Sequence, residues 1–165
     1  MATPTNLPAS FTTGAVLTAA QMNDLRGAFR ILQVVYGSYG TQTSSSSSTY
    51  ADTGLSASIT PQATSSKILV LVNQVSNYKE TNNTYMKLRL VRGSTEIALF
   101  ESYGGFTNTT ASNGFGACSI SYLDSPTTTS ATTYKTQFLS NNNNAAVYTQ
   151  TGGAISTIIL AEVSA

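Results

Sequence analysis

Met86-Lys87-Leu88-Arg89-Leu90-Val91-Arg92-Gly93-Ser94-Thr95-Glu96-Ile97-Ala98-Leu99 is the stretch whose spacing decides the fold class. Met86, Leu88 and Leu90 alternate with Lys87, Arg89 and Val91, the period of two that puts apolar side chains on one face of a strand. Arg92-Gly93-Ser94 reads as a tight hairpin into Ile97 and Leu99. Upstream, Leu55, Ala57 and Ile59 alternate with Ser56 and Ser58 until Pro61 ends the run. Ile68 to Val75 is almost continuously apolar, as for a strand covered on both faces. Downstream, strands are expected around Phe115–Leu123, Thr133–Leu139, Ala145–Gln150 and Ile155–Val163. Turn signals separate them at Asp124-Ser125-Pro126, Asn141 to Asn144 and Thr151-Gly152-Gly153. About eight strands without helical spacing between them predict an all-β fold, an antiparallel jelly roll or sandwich over 44–165. Several connections are too short for crossovers, which makes the pairing antiparallel.

The segment before this body reads differently. Residues 1–16, with Pro4, Pro8 and Gly14, form an extended arm. Thr18 is a good N-cap, with Gln21 three residues on as its capping-box partner. Met22, Leu25, Phe29 and Leu32 then follow at 4-3 spacing, predicting a helix over about 18–32 with one narrow apolar stripe. A lone helix of that length is marginal in water, so the stripe needs something to pack against. Gly37-Ser38-Tyr39-Gly40 and the run Ser44 to Ser48 read as a polar joint, either a linker or a surface loop. The expected division is an arm, helix and linker over 1–43 and a β-body over 44–165.

Composition narrows the chemistry. Of 165 residues, 60 are Ser, Thr or Asn, while only 9% are charged, against about 25% in a typical soluble domain. The chain has no His or Trp, one Cys and a net charge of +1. Zinc sites of His and Cys, Ser-His-Asp or Cys-His nucleophile pairs and an internal disulfide are therefore excluded. Near-neutral charge leaves no footprint for nucleic acid. The apolar run Ile68 to Val72 is too short to cross a bilayer as a helix, and Met1 to Phe11 shows no secretory signal. The seven acidic residues form no local pair, and Asp52 and Asp124 read as turn formers bonding their own backbone. Cys118, among small residues in a strand, reads as a buried inert thiol. No cofactor or metal is implied, and the chain reads as non-enzymatic.

Two features ask for a partner. Ile155 to Leu160 has almost no polar interruption, so that strand is central in a sheet or covered by another chain. The stripe Met22, Leu25, Phe29, Leu32 has the spacing of a coiled-coil seam, unless it packs on the chain's own body. Self-association is the simplest answer to both. A separate signal comes from loops that combine aromatic and amide side chains: Tyr78, Asn82 and Asn83; Tyr103 and Phe106; Asn141, Asn142 and Asn143. Such residues stack on sugars and bond hydroxyls without any charge, and also populate loops for turn reasons alone.

The stretch Phe11-Thr12-Thr13-Gly14-Ala15-Val16-Leu17-Thr18-Ala19-Ala20-Gln21-Met22-Asn23-Asp24-Leu25 resembles a motif near the start of tailed-bacteriophage structural proteins. Asp52-Thr53-Gly54-Leu55, Ile59-Thr60-Pro61 and Ser65-Ser66-Lys67-Ile68-Leu69-Val70 resemble β-rich modules of phage, notably cyanophage, appendage proteins. Ser156-Thr157-Ile158-Ile159-Leu160-Ala161-Glu162-Val163 resembles the last strand of trimeric C1q- and tumour-necrosis-factor-like jelly rolls. The resemblance implies a virion component made in the host cytoplasm, a homotrimeric head and an N-terminal anchor to other virion proteins. Phe11, Leu17, Met22, Leu25, Phe29 and Leu32 would then serve anchoring and assembly. The tail or head fibre or spike so implied would meet host-surface glycans through the Tyr/Asn loops. A capsid decoration or cement protein, a free carbohydrate-binding module and a polysaccharide depolymerase are the other readings. One departure is that fibres carry long shafts, and only the short Ser-rich joint is available here.

Overall fold

The computed structural model describes residues 31–142 and 145–164, together with Gly14, Val16, Thr18 and Ala19. Ten strand segments follow one another: β1 Ile31–Tyr39, β2 Thr43–Ser45, β3 Ala51–Ile59, β4 Lys67–Lys79, β5 Tyr85–Arg92, β6 Thr95–Gly104, β7 Asn113–Asp124, β8 Thr132–Asn141, β9 Val147–Thr149 and β10 Ser156–Val163. All pair antiparallel in two sheets. In the first sheet β10 lies between β1 and β4, and β7 pairs the other side of β4. β9 continues the line of β10, pairing β4 at Tyr78 and Lys79 and pairing β2 on its far side. So β1 and β2 are one strand interrupted at residues 40–42, and β9 and β10 are one strand interrupted at 150–155. The second sheet runs β3-β8-β5-β6. Counted this way there are eight strands, ordered 1-8-3-6 and 2-7-4-5, the double Greek key of a jelly roll.

Alternation sets what lies between the sheets. Leu55, Ala57 and Ile59 of β3, Ile68, Val70 and Val72 of β4, and Ile158 and Leu160 of β10 form one apolar cluster with Leu90 and Tyr134. Met86, Leu88, Cys118, Phe138 and Val147 form a second. Hydroxyls and amides occupy the interior beside them. Thr136 Oγ1 donates to Gln74 Oε1 at 2.9 Å and lies 2.5 Å from Thr53 Oγ1, while Gln74 Nε2 donates to Thr149 Oγ1 and Ser156 Oγ at 2.6 and 3.1 Å. All five residues are fully buried, and their bonds join the two sheets, which is how so hydroxyl-rich a sequence keeps a closed interior. Asn77 Oδ1 and Gln150 Oε1, the buried side-chain oxygens without a partner among the described residues, sit where β4 passes the interruption of β9 and β10.

Two close approaches fix the edge strands. The register of β3 against β8 shifts between Asp52 and Ser56, and Gly54 there has φ +90°. The Tyr39 ring lies against Gly54 so closely that a β-carbon would fall 2.3 Å from it. At the base, Arg92 of β5 donates to both carboxylate oxygens of Asp124 of β7 at 2.9 and 2.8 Å, and the buried Tyr134 hydroxyl of β8 donates to Asp124 Oδ2 at 2.7 Å. Asp124 is thus an inter-sheet clasp and not the self-bonded turn former expected. Asp52 likewise accepts from Lys135 and Gln137 of β8 at 2.9 and 2.6 Å.

Other expectations change too. The predicted helix over 18–32 lies mostly outside the described residues, but Ile31 and Leu32 begin a strand: β1 runs beside β10 from Ile31↔Val163 to Tyr39↔Ser156. The polar joint is likewise part of the sandwich, because Thr43–Ser45 is β2 and the Ser47 carbonyl accepts from Ser140 N at 3.0 Å. The line drawn at 43/44 therefore runs through a strand. β10 is central between β1 and β4, as its apolar run requires. β4 is central as well, yet its outer face is bare: Leu71 is 36% exposed.

That outer face differs from its counterpart. Registers align Val34, Ala161, Leu69 and Leu123 in one row across the first sheet, and Tyr36, Ile159, Leu71 and Ser121 in the next. Val34, Tyr36 and Leu123 are 60, 61 and 54% exposed. The outside of the second sheet is charged and cross-linked: Arg89 pairs with Glu96 at 2.9 Å, bonds Gln137 and lies 3.7 Å over the Tyr50 ring. One outer face suits water and the other does not.

Candidate functional site

Strand directions gather the connections 46–50, 80–84, 105–112 and 142–146 at one end of the sandwich, the far end. The connections 60–66, 93–94 and 125–131 lie at the other, the base, where the chain also enters β1 and leaves β10. The Tyr- and Asn-bearing loops expected as contact sites are therefore neighbours in space.

Two aromatic groups stand at the far end. Tyr85 stacks on Tyr103 at 4.1 Å between centroids, and Phe106 meets both edge-on at 6.0 and 5.0 Å. Asn141 Nδ2 donates to the Tyr85 hydroxyl. Asn83 N donates to Thr107 O at 2.8 Å and Asn82 Nδ2 to Asn108 O at 3.2 Å, tying loop 80–84 to loop 105–112. Lys79 completes that tie. Its buried ammonium donates to Thr81 O, Thr107 Oγ1 and Thr110 O at 3.0, 2.5 and 2.9 Å, so all three hydrogens go to neutral oxygens. Burial holds this amine below the ordinary lysine range.

The second group lies on the outer face of the first sheet. Tyr78 of β4 and Tyr148 of β9 are register partners with rings 5.9 Å apart and tilted by 49°. Beside them the interruptions of β1/β2 and β9/β10 leave a cleft of about 330 Å³ lined by Gln42, Tyr78, Glu80, Tyr148 and Thr151. The Tyr148 hydroxyl donates to Glu80 Oε2 at 2.7 Å, a bond that, with burial, pushes the phenol's pKa up. Tyr78 donates to Ser112 Oγ at 2.9 Å and Thr151 to Ser76 O at 2.9 Å.

Of the residues singled out from sequence, Tyr78 lies in the cleft, and Tyr103 and Phe106 form the stacked group that Asn141 borders. Asn82 and Asn83 serve as loop ties, Asn142 is exposed with left-handed φ, and Asn143 lies outside the described residues. Phe11, Leu17, Met22, Leu25 and Phe29 also lie outside them, and Leu32 is half-buried in β1. Tyr85, at the end of the loop that Tyr78 opens, belongs to the stacked group, whereas Gln42, Glu80, Tyr148, Thr151 and Lys79 were not singled out. Cys118 is buried as expected; burial foremost, then Glu101, whose Oε2 accepts from the thiol at 3.6 Å, pushes its pKa up to about 12. Among the described residues no cluster of His, Cys, Asp and Glu could hold a metal, and no helix is long and apolar enough to cross a membrane.

No protein-family model and no curated protein sequence matches the chain. Solved structures do. The infectious bursal disease virus VP2 subviral particle is similar over 81% of this chain and 33% of that chain, at 10% identity and TM-score 0.49. The Gt strain of the same virus is similar over 81% and 38%, at 13% identity and TM-score 0.45. The insecticidal delta-endotoxin Cry8Ea1 from Bacillus thuringiensis is similar over 89% and 22%, at 16% identity and TM-score 0.36. This chain spans about a third of the length of the first two, so the likeness extends over only part of them.

Proposed function

We propose that the chain is a non-enzymatic structural protein of a virion, a small homotrimeric fibre or spike. It is held to the particle through residues preceding β1 and displays its far-end loops towards host-surface glycans. The observation that carries this reading is the polarity of the sandwich. The chain enters at the base, beside Val163, while the Tyr- and Asn-bearing loops gather at the opposite end. An anchor at one end and a display surface at the other is what a particle-bound attachment protein needs. The jelly-roll topology and the phage-like motif at Phe11–Leu25 support the same reading.

Assembly is favoured by the bare apolar face of the first sheet. Val34, Tyr36, Leu71 and Leu123 are 60, 61, 36 and 54% exposed, so burying what remains of each is worth roughly 1 kcal/mol, and monomers rarely leave such rows contiguous in water. Light scattering of the full chain tests this. A trimer has three times the 17.3 kDa chain mass, about 52 kDa, and the pair Tyr36→Lys with Leu71→Lys is expected to return it to monomers with unchanged far-ultraviolet circular dichroism. A wild-type mass of 17.3 kDa across micromolar concentrations overturns the assembly.

A further inference from the structure

We propose that the cleft between Tyr78 and Tyr148 is a binding site for one uncharged pyranose ring. The inference rests on the display reading for its biological use, but the site itself is complete within a single chain.

The fold builds the cleft from an irregularity that strand pairing alone does not need. β1/β2 and β9/β10 are neighbours, and both break at the same height, so the outer surface of the sheet is notched where two ladders lapse together. Gln150 takes left-handed φ at 55° as the chain leaves β9, and so does Ser76 of β4, whose carbonyl Thr151 bonds. The notch opens beside the aromatic register partners Tyr78 and Tyr148.

The lining has a narrow chemistry. It offers two phenol rings, an amide from Gln42, a hydroxyl from Thr151 and a carboxylate from Glu80, with no aliphatic and no cationic side chain. A pyranose presents C–H bonds on its faces and hydroxyls at its edge. Tilted aromatic faces suit the first; a carboxylate and an amide, which accept and donate, suit the second. The groups are already held in place. Tyr148 is pinned by Glu80 and Tyr78 by Ser112, so little side-chain freedom is left to lose on binding. Glu80 keeps acceptor capacity beyond the Tyr148 bond, because a carboxylate has about four lone-pair sites.

Charge selects among sugars. A uronic or sialic carboxylate would meet Glu80 with no cation in the lining to compensate, so anionic rings are repelled and neutral ones admitted. The volume of about 330 Å³ is at the small end of ligand sites and fits a terminal residue better than the interior of a long chain. The cleft is also clear of the two apolar rows on that face. Tyr78 is seven residues beyond Leu71 on β4, roughly 20 Å along the strand, so copies could pack through Leu71 and leave the cleft open.

The test uses the full chain with methyl glucopyranoside, methyl galactopyranoside, methyl N-acetylglucosaminide and methyl glucuronide, observed by saturation-transfer NMR and titrated for affinity. Transfer to at least one neutral glycoside and none to the glucuronide is expected. Glu80→Ala should weaken that neutral ligand by about tenfold, the loss of a charged acceptor. Glu80→Gln, at an exposed position that does not threaten folding, should keep neutral binding within severalfold and admit the glucuronide. Tyr148→Ala should abolish binding, and Tyr103→Ala, in the other aromatic group, should leave it unchanged. No transfer to any neutral glycoside, or binding untouched by Tyr148→Ala and Glu80→Ala, overturns the site. Light scattering of the same samples separates the two readings. A trimer that binds no glycoside overturns the cleft alone, and a monomer that binds one overturns the assembly alone.

Discussion

Asp124→Ala removes the acceptor at the centre of the clasp between the sheets. The Tyr134 hydroxyl is fully buried in the larger apolar cluster, and Asp124 is the acceptor it bonds. Leaving it without one costs about 1–3 kcal/mol. Arg92 suffers less, because its side chain is 29% exposed and also reaches Ser125 O at 3.3 Å; its share is about 1 kcal/mol. The sum, about 2–4 kcal/mol, is a large part of the roughly 5–15 kcal/mol that holds a domain folded. It should lower Tm by roughly 5–15 °C in a chain of this size. Urea unfolding at pH 7 and one fixed protein concentration, followed by far-ultraviolet circular dichroism, measures it. The decisive comparison adds Tyr134→Phe. Alone, that change should cost about 1 kcal/mol; on top of Asp124→Ala it should cost nothing or recover stability, because no buried hydroxyl is left stranded. Strict additivity of the two changes, within about 0.5 kcal/mol, would refute the clasp as described.

Two further outcomes follow from the fold. Gly54→Ala places a β-carbon 2.3 Å from the Tyr39 ring at φ +90°, and should cost more than about 2 kcal/mol by thermal unfolding; Tyr39→Ala in the same chain should return part of that, and no rescue would mean the ring is not the obstacle. Burial works to raise the pKa of Glu162, but bonds from Gln33, Ser66, Gln62 N and Ala63 N outweigh it and hold the carboxyl below its ordinary 4.5, so its stabilisation is complete above that value and fades as pH falls through the lowered one. Asp52 behaves likewise through Gln137 and Lys135, so unfolding measured from pH 7 to 3 should show a plateau and then a decline, flattened by Glu162→Gln. An unchanged slope in that variant would count against the Glu162 bonds.

The strands were legible where one face is apolar and the other not. Leu55-Ser56-Ala57-Ser58-Ile59 and Met86 to Leu90 alternate, and each is a strand with that inward set. β1 was hidden because Leu32 continues the 4-3 spacing of Met22, Leu25 and Phe29, and no Pro or Gly from Phe29 onward marks a stop before the β-branched Val34-Val35. β2 was hidden for the opposite reason: Thr43-Ser44-Ser45 has no apolar signal and is held by backbone pairing to β9. Asp52 and Asp124 carry local turn signatures, but their partners include Lys135, 83 positions away, and Arg92, 32 positions away. The candidate cleft was half legible. Tyr78 stood out in an Asn-rich loop, whereas Gln42, Glu80 and Tyr148 converge only through pairings between distant segments, Tyr78↔Tyr148 at 70 positions and Thr43↔Thr149 at 106.

The interior layer of Thr53, Thr136, Gln74, Thr149 and Ser156 bears on how this sequence can change over time. A hydrocarbon interior tolerates exchange of one aliphatic residue for another of similar volume, so its residues drift semi-independently. A closed set of donors and acceptors does not, since each member's loss strands its neighbours. Substitutions here are therefore coupled across β3, β4, β8, β9 and β10, and change in concert or not at all. The loops 80–84 and 105–112 lie beyond this layer and are tied to each other through Asn83, Asn82 and Lys79. Exposed positions of those loops, such as Asn82, Asn83 and Asn108 to Ser112, can vary while the interlocked hydroxyls keep the sheets in register.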